Sequence, residues 1–257
     1  MQLRQRTILI TGGTSGIGQE LARQLLDRGN TVIVTGRDQA RLNQARAVLP
    51  GVHTLLSDVS DRRAVQTLYD EVVDRFPSLD TVVNNAGIMR NLRLDRERSL
   101  ADVTREIEVG LNGPIWMVQQ FLPFLNARKQ SLIINVSSGL AFVPFPAAPV
   151  YSAAKAGLNA YTRCLRAQLA GAGVTVVELA PPGTETPLFR GEFAEELKGE
   201  KGMDPKALVR RAIEGIEAGK TEIRPGLSNI LKIASRLAPG LMFRQMVRMS
   251  KLRPGQA

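Results

Sequence analysis

The residue order points to a doubly wound α/β fold. Short β-branched apolar runs alternate with longer segments of helical period, a glycine-rich turn follows the first run directly, and no linker or internal repeat divides the chain. Such alternation is the sequence form of repeated βαβ units around a parallel sheet, whose strands are apolar on both sides because helices cover both faces. Strands are predicted at residues 7–11, 31–35, 53–57, 81–84, 132–136 and 175–179, in the sheet order 3-2-1-4-5-6, with a seventh at 222–224. Between them, residues 18–28, 39–49, 61–76, 101–125 and 151–170 carry apolar side chains at three-to-four spacing, and Gly29, Pro50, Pro77 and Gly171 close four of these helices. Residues 181–204, rich in Pro, Gly and Glu, read as a mobile loop or lid over a substrate.

A chain of 257 residues fits one α/β domain, read here as residues 1–257. With 44% hydrophobic and 23% charged residues it falls outside the disordered and collagen-like classes. No run reaches the roughly 18 apolar residues of a membrane span, and residues 1–6 lead into the first strand without a signal-peptide pattern, so a cytoplasmic protein is expected. Cys164 is the single cysteine and His53 the single histidine, which leaves no internal disulfide, no His-based triad and no expected metal site.

The net charge of +10 is unevenly placed. Residues 223–257 hold seven basic side chains and no acidic one, so the first 222 residues carry 27 basic against 24 acidic. A nearly balanced body with a basic C-terminal segment, residues 224–257, does not predict a nucleic-acid partner. Within that segment Arg244, Arg248 and Lys251 recur at helical spacing among Leu241, Met242, Phe243, Met246, Val247 and Met249. Such a helix lies either on an anionic membrane or, the reading favoured here, docked on its own or a partner subunit beside the substrate cleft, because its apolar residues also need an ordinary home.

The turn after the first strand reads Thr11-Gly12-Gly13-Thr14-Ser15-Gly16-Ile17-Gly18 and opens straight into a helix. Glycines there let the backbone turn tightly, approach a pyrophosphate and bring helix and strand together, with the helix N-terminus aimed at the anion. Gly12, Thr14, Ser15, Gly16, Ile17 and Gly18 are therefore candidate dinucleotide-binding residues. At the tip of the second strand, about 20 residues on, an acidic side chain would bind the adenosine ribose and an arginine would meet a 2′-phosphate. Here the tip is Gly36-Arg37-Asp38, where glycine removes a repelling carboxylate and Arg37 offers bidentate charge-assisted bonds. NADP(H) is expected over NAD(H); the other reading has Asp38 on the ribose and Arg37 solvated.

Tyr151 and Lys155 are four apart at the start of a helix, so their side chains share one face. An ammonium beside a phenol would draw its pKa down, and a phenol so tuned can exchange a proton with a carbonyl oxygen as hydride moves. With the glycine turn, Asn84-Asn85-Ala86-Gly87 and Tyr151-Ser152-Ala153-Ala154-Lys155, the chain resembles the short-chain dehydrogenase/reductase family over about residues 5 to 190. Residues 181–186 and 219–223 look most like a bacterial branch named for D-alanine esterification of lipoteichoic acid, a name that fixes no substrate.

The resemblance implies a single Rossmann-like domain and a catalytic set of Ser138, Tyr151 and Lys155, with Ser137 the weaker choice of serine. It adds Asp58, Val59, Asn84, Ala86, Gly87, Pro181 and Thr186 to the cofactor contacts, together with Tyr151 and Lys155. It also implies a small-molecule substrate and a homodimer or homotetramer built on the helices of Trp116, Phe121, Phe124, Leu158, Leu165 and Leu169. Met89, Ala141, Phe142, Pro146 and Phe189 are expected to form an apolar substrate wall.

The sequence departs from the family at Gly110, where active members commonly carry an asparagine that helps organise a water chain behind the lysine. Asn112, two residues on, would point about 200° away on a regular helix, although a bulge could redirect it. The expected activity is an NADPH-dependent carbonyl reductase or alcohol dehydrogenase with a weakened proton relay. The rivals are a dinucleotide-binding sensor or scaffold with weakened catalysis, and a protein recruited to membranes by its basic tail.

Overall fold

The β-branched runs pair into one sheet of seven parallel strands. In chain order the elements are β1 (Thr7–Thr11), α1 (Gly16–Leu26), β2 (Thr31–Gly36), α2 (Gln39–Val48), β3 (His53–Leu56), α3 (Arg62–Arg75), β4 (Leu79–Asn84), α4 (Leu100–Val103) and α5 (Arg105–Ile107). A π-helical turn, Glu108–Asn112, then leads into α6 (Gly113–Asn126), β5 (Ser131–Val136), α7 (Pro149–Gln168), β6 (Val174–Leu179), α8 (Pro187–Arg190), α9 (Pro205–Glu217), β7 (Glu222–Ile223), α10 (Leu227–Leu237) and α11 (Pro239–Met249). The computed structural model describes residues 1–251; Arg253 and the rest of the predicted basic segment beyond Lys251 lie outside the described residues.

The strand order is β3-β2-β1-β4-β5-β6-β7, so the chain reverses its direction of travel between β1 and β4. A crevice opens there beyond the carboxyl ends of the strands, where sheets of this type hold ligands. Alternate side chains serve the two faces: Ile8, Ile10, Val32 and Val34 pack under α1 and α9, while Leu9, Ile33, Val82 and Ile133 pack under α3, α6 and α7. Edge strand β3 is the exception to two-sided cover, with His53 and Leu56 exposed.

Three elements differ from the sequence expectation. The long helix predicted over 101–125 is broken into α4, α5, the π turn and α6. Helix α9, which covers the sheet with Leu208, Val209, Ala212, Ile213 and Ile216, was not predicted, although Asp204 caps it and Pro205 occupies its first turn. Helix α10 was missed as well, whereas α11 falls on the predicted amphipathic segment. No helix among the described residues is long and apolar enough to cross a membrane.

Candidate active site

The glycine turn is shaped by close approach. Gly12 and Gly16 have φ of +65° and +55°, and a Cβ on Gly12 would lie 2.8 Å from the Ala86 Cα. Ser15 stands at the N-cap of α1 without spending its side chain on a cap, so the first N–H groups of the helix face the cleft. The Asn-Asn-Ala-Gly turn clasps this loop: Asn85 Nδ2 donates to the carbonyls of Thr11 and Gly12 at 3.0 and 3.1 Å, and the Asn85 and Ala86 amides donate to Thr11 Oγ1. A cradle that a Cβ would fill, at a helix N-terminus left without a side-chain cap, fits the pyrophosphate of a dinucleotide.

At the β2 tip Asp38 is committed to its own helix. Its Oδ1 accepts from the Ala40 and Arg41 amides as the N-cap of α2. The alternative in which Asp38 reaches the ribose therefore competes with a cap. Arg37 and Arg41 both line the cleft, and a Cβ on Gly36 would press to 3.1 Å from Thr14 Cγ2. The crevice wall here carries two guanidinium groups beside the spent carboxylate. Asp58 and Val59 follow at the end of β3, with Asp58 Oδ1 accepting from the Ser60 amide and hydroxyl.

On the far side of the crevice β5 delivers Ser138 and α7 delivers Tyr151 and Lys155. Pro149 starts α7, and Ser152 Oγ fixes its entrance by accepting from the Phe145 amide and donating to the Ala148 carbonyl. Ser138 Oγ accepts from the Leu140 amide at 3.1 Å, and its hydroxyl favours ionisation of the Tyr151 phenol. Ser137 donates to buried Glu178 at 2.5 Å, which leaves Ser138 as the serine of the pair not tied to a carboxylate. Lys155 Nζ donates to the Val136 carbonyl at 2.8 Å and lies 5.7 Å from the Tyr151 ring centroid.

Both groups are buried, and burial governs their protonation. Desolvation pushes the Tyr151 phenol up to about 12, against the smaller lowering from the Ser138 hydrogen bond, and pulls the Lys155 ammonium down to about 8. The downward shift expected for Tyr151 is thus reversed: the ammonium is turned onto a main-chain carbonyl, and the phenol has lost its water.

The cleft encloses about 1010 Å³. Gly12, Thr14, Ser15, Gly16, Ile17, Arg37, Asp58, Val59, Ala86, Gly87, Ser138, Tyr151, Lys155, Pro181 and Thr186 all line it. Gly18 and Asn84 do not. A Cβ on Gly18 would sit 2.4 Å from both Asn85 Nδ2 and the Gly12 carbonyl, so this glycine seats the helix against the loop. Asn84 points into the core, where its Nδ2 donates to Asn135 Oδ1 at 2.8 Å and ties β4 to β5. In the substrate wall Met89 and Phe189 are placed as expected, whereas Ala141, Phe142 and Pro146 stand behind the lining.

Sequence reasoning missed Asn85, Arg41 and Leu231, which comes from α10, while Met242, Met246 and Met249 come from α11, the helix favoured as docked beside the cleft. Arg41 could have been found four residues after Arg37, on the first turn of the next helix. Residues 181–204 cover the cleft with more order than their composition suggests. Glu185 and Met203 pair through their backbones, Glu185 is bonded to Arg190 and the Gly202 amide, and Phe193 is fully buried. Gly110 lies inside the π turn with only Ala154 Cβ near a Cβ placed on it, at 3.4 Å, and Asn112 does not line the cleft.

A profile of the short chain dehydrogenase family matches residues 6–197. The chain belongs to the short-chain dehydrogenase family. It is 37% identical over 248 residues to the uncharacterized oxidoreductase DltE of Bacillus subtilis, covering 96% of this chain and 98% of that one. A short chain dehydrogenase from Burkholderia cenocepacia solved with NADP shares the fold with a TM-score of 0.80 at 24% identity, covering 96% of this chain and 99% of that one. A short-chain dehydrogenase/reductase from Burkholderia phymatum solved with NAD gives 0.81 at 21% identity, covering 92% and 95%. Membership makes the protein a dinucleotide-dependent oxidoreductase of small molecules. Because neighbours on this fold hold either dinucleotide, the choice between them rests on the residues at the β2 tip.

Proposed function

We propose that the protein is an NADPH-dependent reductase that transfers a hydride between nicotinamide and a carbonyl or secondary alcohol. The observation that carries this reading is the convergence of Ser138, Tyr151 and Lys155 on one cleft with the glycine cradle and Arg37. Gly12, Ser15 and Gly16 hold the pyrophosphate, Asp58 and Val59 border the adenine, and Arg37 with Arg41 receives the 2′-phosphate. The reduced cofactor, when bound, supplies the hydride. Ser138 Oγ holds the substrate oxygen, and the Tyr151 hydroxyl gives its proton to that oxygen. Lys155 keeps a positive charge beside the phenolate so formed. The apolar end of the cleft, lined by Met89, Phe189, Met203 and Met246, favours a bulky apolar substrate over a charged one. A homodimer or homotetramer across α6 and α7 goes with this reading, since Trp116, Phe124 and Leu169 there stay half-buried.

A panel of apolar ketones and aldehydes, followed through NADPH oxidation in wild type and Tyr151→Phe, tests the proposal. Turnover that disappears in Tyr151→Phe supports it; turnover that survives overturns the role of Tyr151. Gly110 favours one rival, a dinucleotide-binding sensor with weakened catalysis, and NADPH binding without oxidation by any member of the panel would select it.

A further inference from the structure

Helices α10 and α11 pack against each other as a hairpin with two unlike sides. The inner side is absorbed by the fold: Leu231, Met242, Met246 and Met249 line the apolar end of the cleft, and Ser228 is fully buried. This is the docked helix favoured from sequence. Among the described residues nothing covers the outer side. Ile230, Ile233 and Leu237 recur along α10 and are 52–82% exposed, Leu227 joins them at the rim of the cleft, and Leu241, Phe243 and Val247 continue the apolar surface on α11. Among the described residues the other large exposed apolar side chains, Val48, Leu56, Leu94, Leu100 and Leu188, are scattered, so this hairpin carries the one concentrated patch.

Charge decides what covers it. No acidic residue follows Glu222 in the sequence. Arg224 and Lys232 are turned inward onto Glu222, and Lys251 onto the Glu195 carbonyl. Arg236, Arg244 and Arg248 have no acidic partner among the described residues, and they stand exposed beside the apolar side chains. Two copies of such a face brought together would oppose like charges around the apolar contact. An anionic lipid surface complements both halves, taking the apolar side chains below its headgroups and the guanidiniums at its phosphates.

We propose that the outer side of the α10–α11 hairpin seats the protein on an anionic lipid surface. The cleft then lies one helix thickness from the bilayer, with the hairpin's inner side forming its apolar end. The inference is independent of the reductase reading, since it uses no residue of the chemical site.

Sedimentation of the full chain with vesicles of phosphatidylglycerol and phosphatidylcholine, against phosphatidylcholine alone, tests it. Binding is expected to the anionic vesicles, with loss near 1 M salt, where the screening length falls to about 3 Å. Arg244→Gln with Arg248→Gln should weaken it about 30-fold, at roughly 1 kcal/mol per charge near the surface. Ile230→Ser with Ile233→Ser should weaken it at least about tenfold. Both double variants should melt like the wild type, because all four side chains point outward. No sedimentation with anionic vesicles, or equal sedimentation with phosphatidylcholine alone, overturns the proposal. So does light scattering in which Ile230→Ser with Ile233→Ser splits a dimer, which would assign the face to a second copy.

Discussion

Tyr151 and Lys155 owe their protonation states to burial more than to each other. With its phenol held up to about 12, Tyr151 stays protonated across the working range and is set to donate. Lys155, pulled down to about 8, is charged below that pH and neutral above it. Carbonyl reduction is therefore expected to hold steady at neutral pH and to fall as pH rises through about 8, as the ammonium beside the nascent phenolate is lost. A rate profile flat through that region would contradict the assignment. Tyr151→Phe should lower turnover by about 10²–10⁴-fold with NADPH affinity unchanged, as measured by single-turnover kinetics and fluorescence titration. Arg37→Ala removes a charge-assisted contact worth about 1.5–3 kcal/mol and should weaken NADPH at least about tenfold while leaving NADH where it was. That Ser138, Tyr151 and Lys155 line one cleft was legible in the sequence because their motifs are local. The upward direction at Tyr151 was not, because its desolvation also depends on Met242, Met246 and Met249, which arrive from far along the chain.

Gly18 and the π turn show what an element adds to its residues. At Gly18 a Cβ would meet a backbone carbonyl and the Asn85 amide at 2.4 Å, and backbone cannot step aside as a side-chain end can. Gly18→Ala should cost about 1–3 kcal/mol, visible in thermal melting as a lowered Tm and in titration as weaker NADPH binding. Gly110 is the opposite case. Its nearest neighbour would be Ala154 at an ordinary 3.4 Å, so Gly110→Asn is accommodated beside the residue that precedes Lys155. If the missing amide weakens the proton relay, Gly110→Asn raises turnover; unchanged turnover at every pH would dismiss that role. The strands were readable almost to the residue because buried parallel strands are unbroken β-branched runs. The break of the helix predicted over 101–125 was missed, although Gly113-Pro114 marks the start of α6. Helix α9 announced itself through Asp204-Pro205, a start signal obscured by its place at the end of a Pro- and Gly-rich loop.

Topology joins these parts into one device. The reversal between β1 and β4 opens the crevice, the β1, β2 and β3 ends supply one half of its wall, and β5, α7 and the C-terminal hairpin supply the other. The first half was readable because its motifs each lie within a single strand–turn–helix unit. The apolar end of the second half was legible only in part: Met89 and Phe189 were expected in its wall, whereas Leu231 comes from α10, a helix the sequence did not announce. The central claim is that this crevice is built for NADPH, and titration of the purified protein with NADPH and NADH, followed by the reduced nicotinamide's fluorescence, tests it most directly. The account predicts NADPH at least about tenfold tighter, a gap of about 1.4 kcal/mol. Equal or tighter binding of NADH, or binding of neither, would contradict it.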